Sequence, residues 1–268
     1  MGLFQGEVTE NHADYTDLIN RMQRLRGRIY LNDGAIRGSD LTTDGRHVSL
    51  LDECSWHLLT VSPEGQVLGC ARFQPHPSSV SFESLSVRHA ALARSPEWCL
   101  HLRESVEAQI KLARSQSFIW LEMGGWALSE ELRGTTEALL YALFTYAWSQ
   151  LMGGAIGITT ATERNGSASI LRRLGGDSLY WKGTALPSYY DDRYRCVMEV
   201  LRFDSRSPSA KYRSTIEALR IQIAKVPVIG PGRNSNWESG IADLRIPPQS
   251  AGYWTTTQSN LAVSPRLY

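Results

Sequence analysis

FIWLEMGGWAL, residues 118–128, and the segment that follows it, SEELRGTTEALLYALFTYAWSQLMGG, residues 129–154, decide the fold. The first run reads as a buried strand interrupted by Gly124 and Gly125, and a glycine pair inside a strand marks a bulge or a close backbone approach. The second passes from a polar loop into a long helix from about Thr135, closed by Gly153 and Gly154. A helix start presents unpaired backbone N–H groups and the positive end of its dipole, so the loop Arg133-Gly134-Thr135-Thr136-Glu137-Ala138 suits a phosphate. The same residues also read as a Thr-capped helix opening with no ligand.

Downstream, AIGITTAT (155–162) predicts the next strand, ERNGSASILRRLGG a short helix ending on glycine, and YRCVMEVLRF (194–203) a late strand with alternating faces. Residues 208–226 predict one more helix, with Tyr212, Ile216, Leu219 and Ile223 on one face. From Pro227 onward the chain carries five of its eleven prolines and no long periodic segment, which reads as an irregular tail. The expected organisation is one domain over residues 1–205, with a C-terminal helix and tail over 206–268.

Upstream, Leu18, Met22, Leu25 and Ile29 recur at helical spacing over residues 14–31. Residues 32–55 are rich in Gly, Asp and Thr and read as a long surface loop, a kind of segment that often carries function. WHLLTV (56–61) and QVLGCARF (66–73) predict a hairpin, and residues 96–114 a helix. The order is strands, helix, strand, helix, strand, which is an α/β fold with a mixed sheet flanked by helices.

The net charge of +1 gives no bulk attraction to nucleic acid or an anionic membrane. No stretch approaches the roughly 18 apolar residues of a membrane span. The N-terminal MGLFQGEVTE lacks a secretory pattern, so the expected compartment is the cytoplasm. Cys54, Cys70, Cys99 and Cys196 stand singly and predict neither a metal site nor a disulfide framework.

On Arg133, Gly134 and Ala138 the chain resembles the GNAT (N-acetyltransferase) superfamily, whose pantetheine-binding loop commonly reads Arg/Gln-Gly-x-Gly-x-Gly/Ala. Thr136 stands where the second glycine is usual. Asn165 and LRRLGG (171–176) look like the family's Asn-led helix, with Leu171 where a general-acid tyrosine often stands. A narrower resemblance, over about residues 15 to 203, points to the branch of N-acyl amino acid synthases and acyl-homoserine lactone synthases. It rests on Arg24-Leu25-Arg26 with Tyr30, on Asp44 and Asp52, on Arg72 in GCARF, and on Glu122 in WLEMGG.

The resemblance implies a GNAT-like, mostly antiparallel sheet and transfer of an acyl group from a thioester to the amine of an amino acid or similar small molecule. The donor it implies is acyl-CoA or acyl-phosphopantetheine on an acyl carrier protein, as a co-substrate, with no tightly bound cofactor. Donor binding then falls to Trp126, Leu128, Arg133, Gly134, Thr135, Thr136, Ala138 and Asn165, and acceptor binding to Arg26, Tyr30, Asp44 and Arg72. The amine must lose a proton, for which Glu122 is the first candidate and Asp52 the second. Glu122, Arg26 and Arg72 also read as structural ion-pair partners, and the tryptophans as core. The apolar run Leu139, Leu140, Leu143, Phe144 suggests either an acyl channel or ordinary packing. The other readings are an ordinary acetyl-CoA-dependent N-acetyltransferase and a degenerate domain that binds acyl thioesters without turnover.

Overall fold

A computed structural model of the chain describes residues 8–231 and 253–257. After a short strand, β1 (Val8–Glu10), helix α1 (His12–Asn32) starts where the Asn11 side chain accepts from the N–H groups of Ala13 and Asp14. Its expected stripe of Leu18, Met22, Leu25 and Ile29 is buried throughout. The hairpin of β2 (Trp56–Val61) and β3 (Val67–His76) turns at Ser62, whose N–H donates to the Gln66 carbonyl. Three short 3-10 turns between residues 82 and 94 then lead into α2 (Cys99–Ser115).

β4 (Ile119–Leu128), α3 (Glu137–Leu151), β5 (Ala155–Thr162) and α4 (Ser167–Leu174) follow in the expected order, α3 beginning two residues later than the sequence predicts. Four short strands come next: β6 (Asp177–Ser178), β7 (Tyr180–Trp181), β8 (Thr184–Ala185) and β9 (Tyr189–Asp191). The chain continues with β10 (Cys196–Asp204), α5 (Arg213–Ile223), β11 (Val228–Gly230) and β12 (Tyr253–Thr257). Part of what reads as irregular tail is therefore strand: β11 runs parallel to β1, and β12 lies between β11 and β2. These strands take their pairing from an available sheet edge, which leaves no periodic trace in the sequence. The rest of the tail, 232–252 and 258–268, lies outside the described residues.

The sheet runs β1-β11-β12-β2-β3-β4-β5-β10-β6, with β9 also on β10, and is mostly antiparallel. Alternation along the strands divides the core. Trp56, Leu58, Phe73 and Leu121 pack against α3 and α5 on one face. On the other, Leu59 and Cys70 meet α1, and Trp120, Ile156 and Ile158 meet α2. Among the described residues no helix is long and apolar enough to cross a membrane.

Candidate active site

β4 and β5 are parallel neighbours whose pairing runs from Ile119 opposite Ala155 to Met123 opposite Thr159, and stops there. Beyond that point β4 is bent by a bulge: Cys70 pairs with Ala127 and Arg72 with Gly124, so Ala71 alone faces both Gly125 and Trp126. Gly125 sits at φ +63°, where a side chain is strained. The two strands part, and a cleft of about 930 Å³ opens between residues 123–128 and 158–162.

Under one wall lies a buried charge cluster. Asp52 and Arg26 are each 1% exposed, and Arg26 donates to Asp52 from Nη1 at 2.9 Å and from Nη2 at 2.6 Å. Asp52 also accepts from Gln23 Nε2 and the Ser49 N–H, while Arg26 Nη2 reaches the His47 carbonyl. Burial pushes the Asp52 carboxyl up, but the hydrogen bonds and charge of Arg26 outweigh it and bring the pKa down to about 2. This pair ties the long loop to α1. Arg26 borders the cleft, whereas Asp52 lies behind it and does not line the wall. Asp44 is exposed in the Thr42–Arg46 turn, paired with Arg24 and Arg46, and also stands off the cleft.

Arg72 does reach the cleft, donating from Nη1 to Ser49 Oγ at 3.2 Å and standing 3.7 Å from the Asp52 carboxylate, which Arg26 already holds. Tyr30 lines the cleft too, its hydroxyl donating to the Trp126 carbonyl at 3.4 Å. Burial pushes the Tyr30 phenol pKa up, so it is neutral at ordinary pH.

Glu122 is buried at the floor of the cleft, where Oε2 accepts from the Ser86 N–H and meets His76 Nε2, both at 3.0 Å, and Oε1 accepts from the Val87 N–H at 3.2 Å. The carboxylate thus anchors the 3-10 segment over the cleft, using three of its roughly four acceptor positions. Nothing in the sequence pointed to Ser86 and Val87, because a run of 3-10 turns has no usable period.

At the mouth, Gly134 adopts φ +74° with open space around it, and Ala138 and Asn165 border the cleft with it. Arg133 also borders the mouth, with its guanidinium on Asp33. Trp126 and Leu128 line the wall. Thr135 and Thr136 do not; the Thr135 hydroxyl donates to the Leu132 carbonyl and accepts from the Glu137 N–H, so it closes the turn into α3.

Leu143 and Phe144 are buried in the core, with Phe144 stacked on Phe73, and Leu139 and Leu140 are partly buried against it. A second, apolar pocket of about 40 Å³ lies beside the cleft, bounded by Met123, Trp126, Tyr141, Ala142 and Leu171. Two further cleft residues carry no sequence signal. Nδ1 of His47 and the hydroxyl of Tyr189 are buried without a hydrogen-bond partner among the described residues. Burial and the Arg26 charge lower the His47 pKa, leaving that imidazole neutral at pH 7.

The fold is GNAT-like. A CoA-dependent acyl-homoserine lactone synthase, BjaI, solved with SAM and isopentyl-CoA, superposes with a TM-score of 0.52 at 18% identity, over 85% of this chain and 92% of that one. The same enzyme with MTA gives 0.51 at 18% identity and the same coverage. FeeM, an N-acyl amino acid synthase from uncultured soil microbes, overlaps more loosely, with a TM-score of 0.43 at 12% identity over 74% of this chain and 94% of that one. No protein-family model matches the chain, and no curated protein matches it.

Proposed function

We propose that the chain is an N-acyltransferase that takes an acyl group from a thioester and transfers it to the amine of an amino acid or similar small molecule. The observation that carries this reading is the parting of β4 from β5 at Met123 and Thr159, which opens a cleft running from the Arg133–Ala138 loop to Arg72 and Glu122. A pantetheine arm is an extended amide chain and fits between two strands that have released each other's backbone groups.

In this reading the donor enters at Gly134, Ala138 and Asn165 and lays its arm along Trp126 and Leu128. The thioester carbonyl reaches the bulge at Gly125, where backbone dipoles meet the charge that develops on oxygen. Arg72 and Tyr30 hold the acceptor, and Arg26 with Asp52 fixes the wall behind them. The amine nitrogen attacks the thioester carbon, its proton passes directly or through water to the remaining acceptor position of Glu122, and the C–S bond breaks as the leaving sulfur takes that proton back to depart as the thiol. His47 is a second base of suitable charge state on the same wall. Thr135, Thr136 and Asp44 have structural parts in it.

A second reading concerns the donor's length. The apolar pocket bounded by Tyr141, Ala142 and Leu171 holds only about 40 Å³, which favours short acyl groups and an enzyme closer to an ordinary acetyltransferase. Mass spectrometry of extracts from cells overexpressing the chain tests both. New N-acyl amino acids support the proposal, their acyl lengths choose between the readings, and an unchanged extract beside abundant folded protein speaks against both.

A further inference from the structure

At the cleft mouth one acidic side chain collects Arg133 and Asn165, two residues that the resemblance assigns to donor binding. Both oxygens of Asp33, the residue that ends α1, accept from Arg133 Nη2 at 3.0 Å, and Oδ2 also accepts from Asn165 Nδ2 at 3.4 Å. The Asp33 carbonyl accepts from Arg164 Nη2 at 2.6 Å. Asp33, Arg133 and Asn165 all border the cleft. The Asp33 side chain is 17% exposed and that of Arg133 44% exposed, so the carboxylate lies beneath the guanidinium and not out in solvent.

We propose that Asp33 is a specificity-determining residue for the donor, reducing the pull of the mouth on highly charged nucleotide donors relative to an arm that carries a single phosphodiester. This rests on the acyl-transfer reading of the cleft. Two guanidinium groups and one carboxylate leave one surplus positive charge there. A phosphate that reaches Arg133 must displace the Asp33 carboxylate or settle beside it, and like charges at a few ångströms repel in proportion to the ligand's charge. A phosphopantetheine arm on a carrier protein brings one negative phosphodiester, whereas CoA brings a pyrophosphate and a further phosphate. Asp33 ends α1 through its backbone N–H, which donates to the carbonyls of Ile29 and Leu31, so replacing the side chain leaves that cap in place.

The test is calorimetric titration of the full chain and of Asp33→Asn with CoA, dephospho-CoA and pantetheine at low ionic strength. Asp33→Asn should bind CoA about threefold to tenfold more tightly, dephospho-CoA by less, and pantetheine with unchanged affinity. Asp33→Glu should behave as the parent, and high salt should remove the difference. An equal gain for pantetheine, no gain for CoA, or no CoA binding by either chain would overturn the proposal. Formation of N-acyl product is measured separately. If the binding ratios move as expected and no product forms, the acyl-transfer reading fails while the anion selectivity of Asp33 stands.

Discussion

Arg72 lies across the β3–β4 register from Gly124, with Nη2 only 3.4 Å from where a side-chain carbon at position 124 would stand. The next glycine is tighter, since a side-chain carbon at Gly125 would meet Arg72 Cβ at 3.1 Å. The glycine pair that marks the bulge in the sequence therefore also makes room for the cleft arginine. Gly125→Ala has to adopt φ near +63° as well as press on Arg72. It should cost about 1–2 kcal/mol in urea unfolding and raise the acceptor KM more than the donor KM. Unchanged stability and kinetics would show that the bulge tolerates a side chain.

The Arg26–Asp52 pair makes two predictions about stability that share one cause. Asp52→Asn leaves a buried guanidinium without its counter-charge and should destabilise the fold by about 3–5 kcal/mol. In the parent the Asp52 pKa is lowered from 3.8 to about 2, so its contribution is complete above pH 4 and is lost as the pH falls through 2. That loss is on the order of 2 kcal/mol. Urea midpoints measured from pH 5 to pH 2 should fall less steeply for Asp52→Asn than for the parent; parallel curves would mean that other carboxylates govern acid unfolding.

Much of this site was legible in advance, and the reasons differ by residue. Periodicity revealed α1 because Leu18, Met22, Leu25 and Ile29 face one sheet, and glycines revealed the bulge and the end of α3. The Arg26, Arg72 and Asp52 cluster came from resemblance, and the structure does bring those three together while leaving Asp44 on the surface. Contacts across the chain left no such mark. Asp33 meets Arg133 from 100 positions away, and Ser86 and Val87 reach Glu122 from a segment of 3-10 turns. The apolar run on α3 fits a channel and a core equally well as sequence; in the structure Leu143 and Phe144 are buried, and Leu139 and Leu140 are partly buried against them.

At the donor loop, Gly134→Val puts a β-branched side chain at φ +74°, a conformation such residues avoid. Open space surrounds the position, so the fold should survive while the loop shifts and the mouth narrows. Donor affinity by calorimetry should fall by about tenfold or more with little change in thermal midpoint. Equal affinity would remove this loop from the donor site.

Glu122→Gln replaces an acceptor with a group that is half donor, facing the N–H groups of Ser86 and Val87 and the His76 ring. If Glu122 takes the amine's proton, kcat should fall on the order of 100-fold or more, with donor affinity retained. A rise in acceptor KM at constant kcat would instead assign Glu122 to holding the 3-10 segment, and His47→Ala would then be the variant that lowers kcat.

The central claim is that the cleft between β4 and β5 moves an acyl group onto an amine, and product formation by the purified full chain tests it most directly. Acetyl, octanoyl and dodecanoyl thioesters, on CoA and on a carrier protein, are mixed with amino acids, and free thiol and N-acyl product are measured together. The account predicts equal amounts of thiol and N-acyl amino acid, formed faster than without protein and sharply reduced by Gly125→Ala, with the preferred acyl length choosing between the two readings. Thiol release and product no greater than in protein-free controls, across every donor and acceptor, would contradict it.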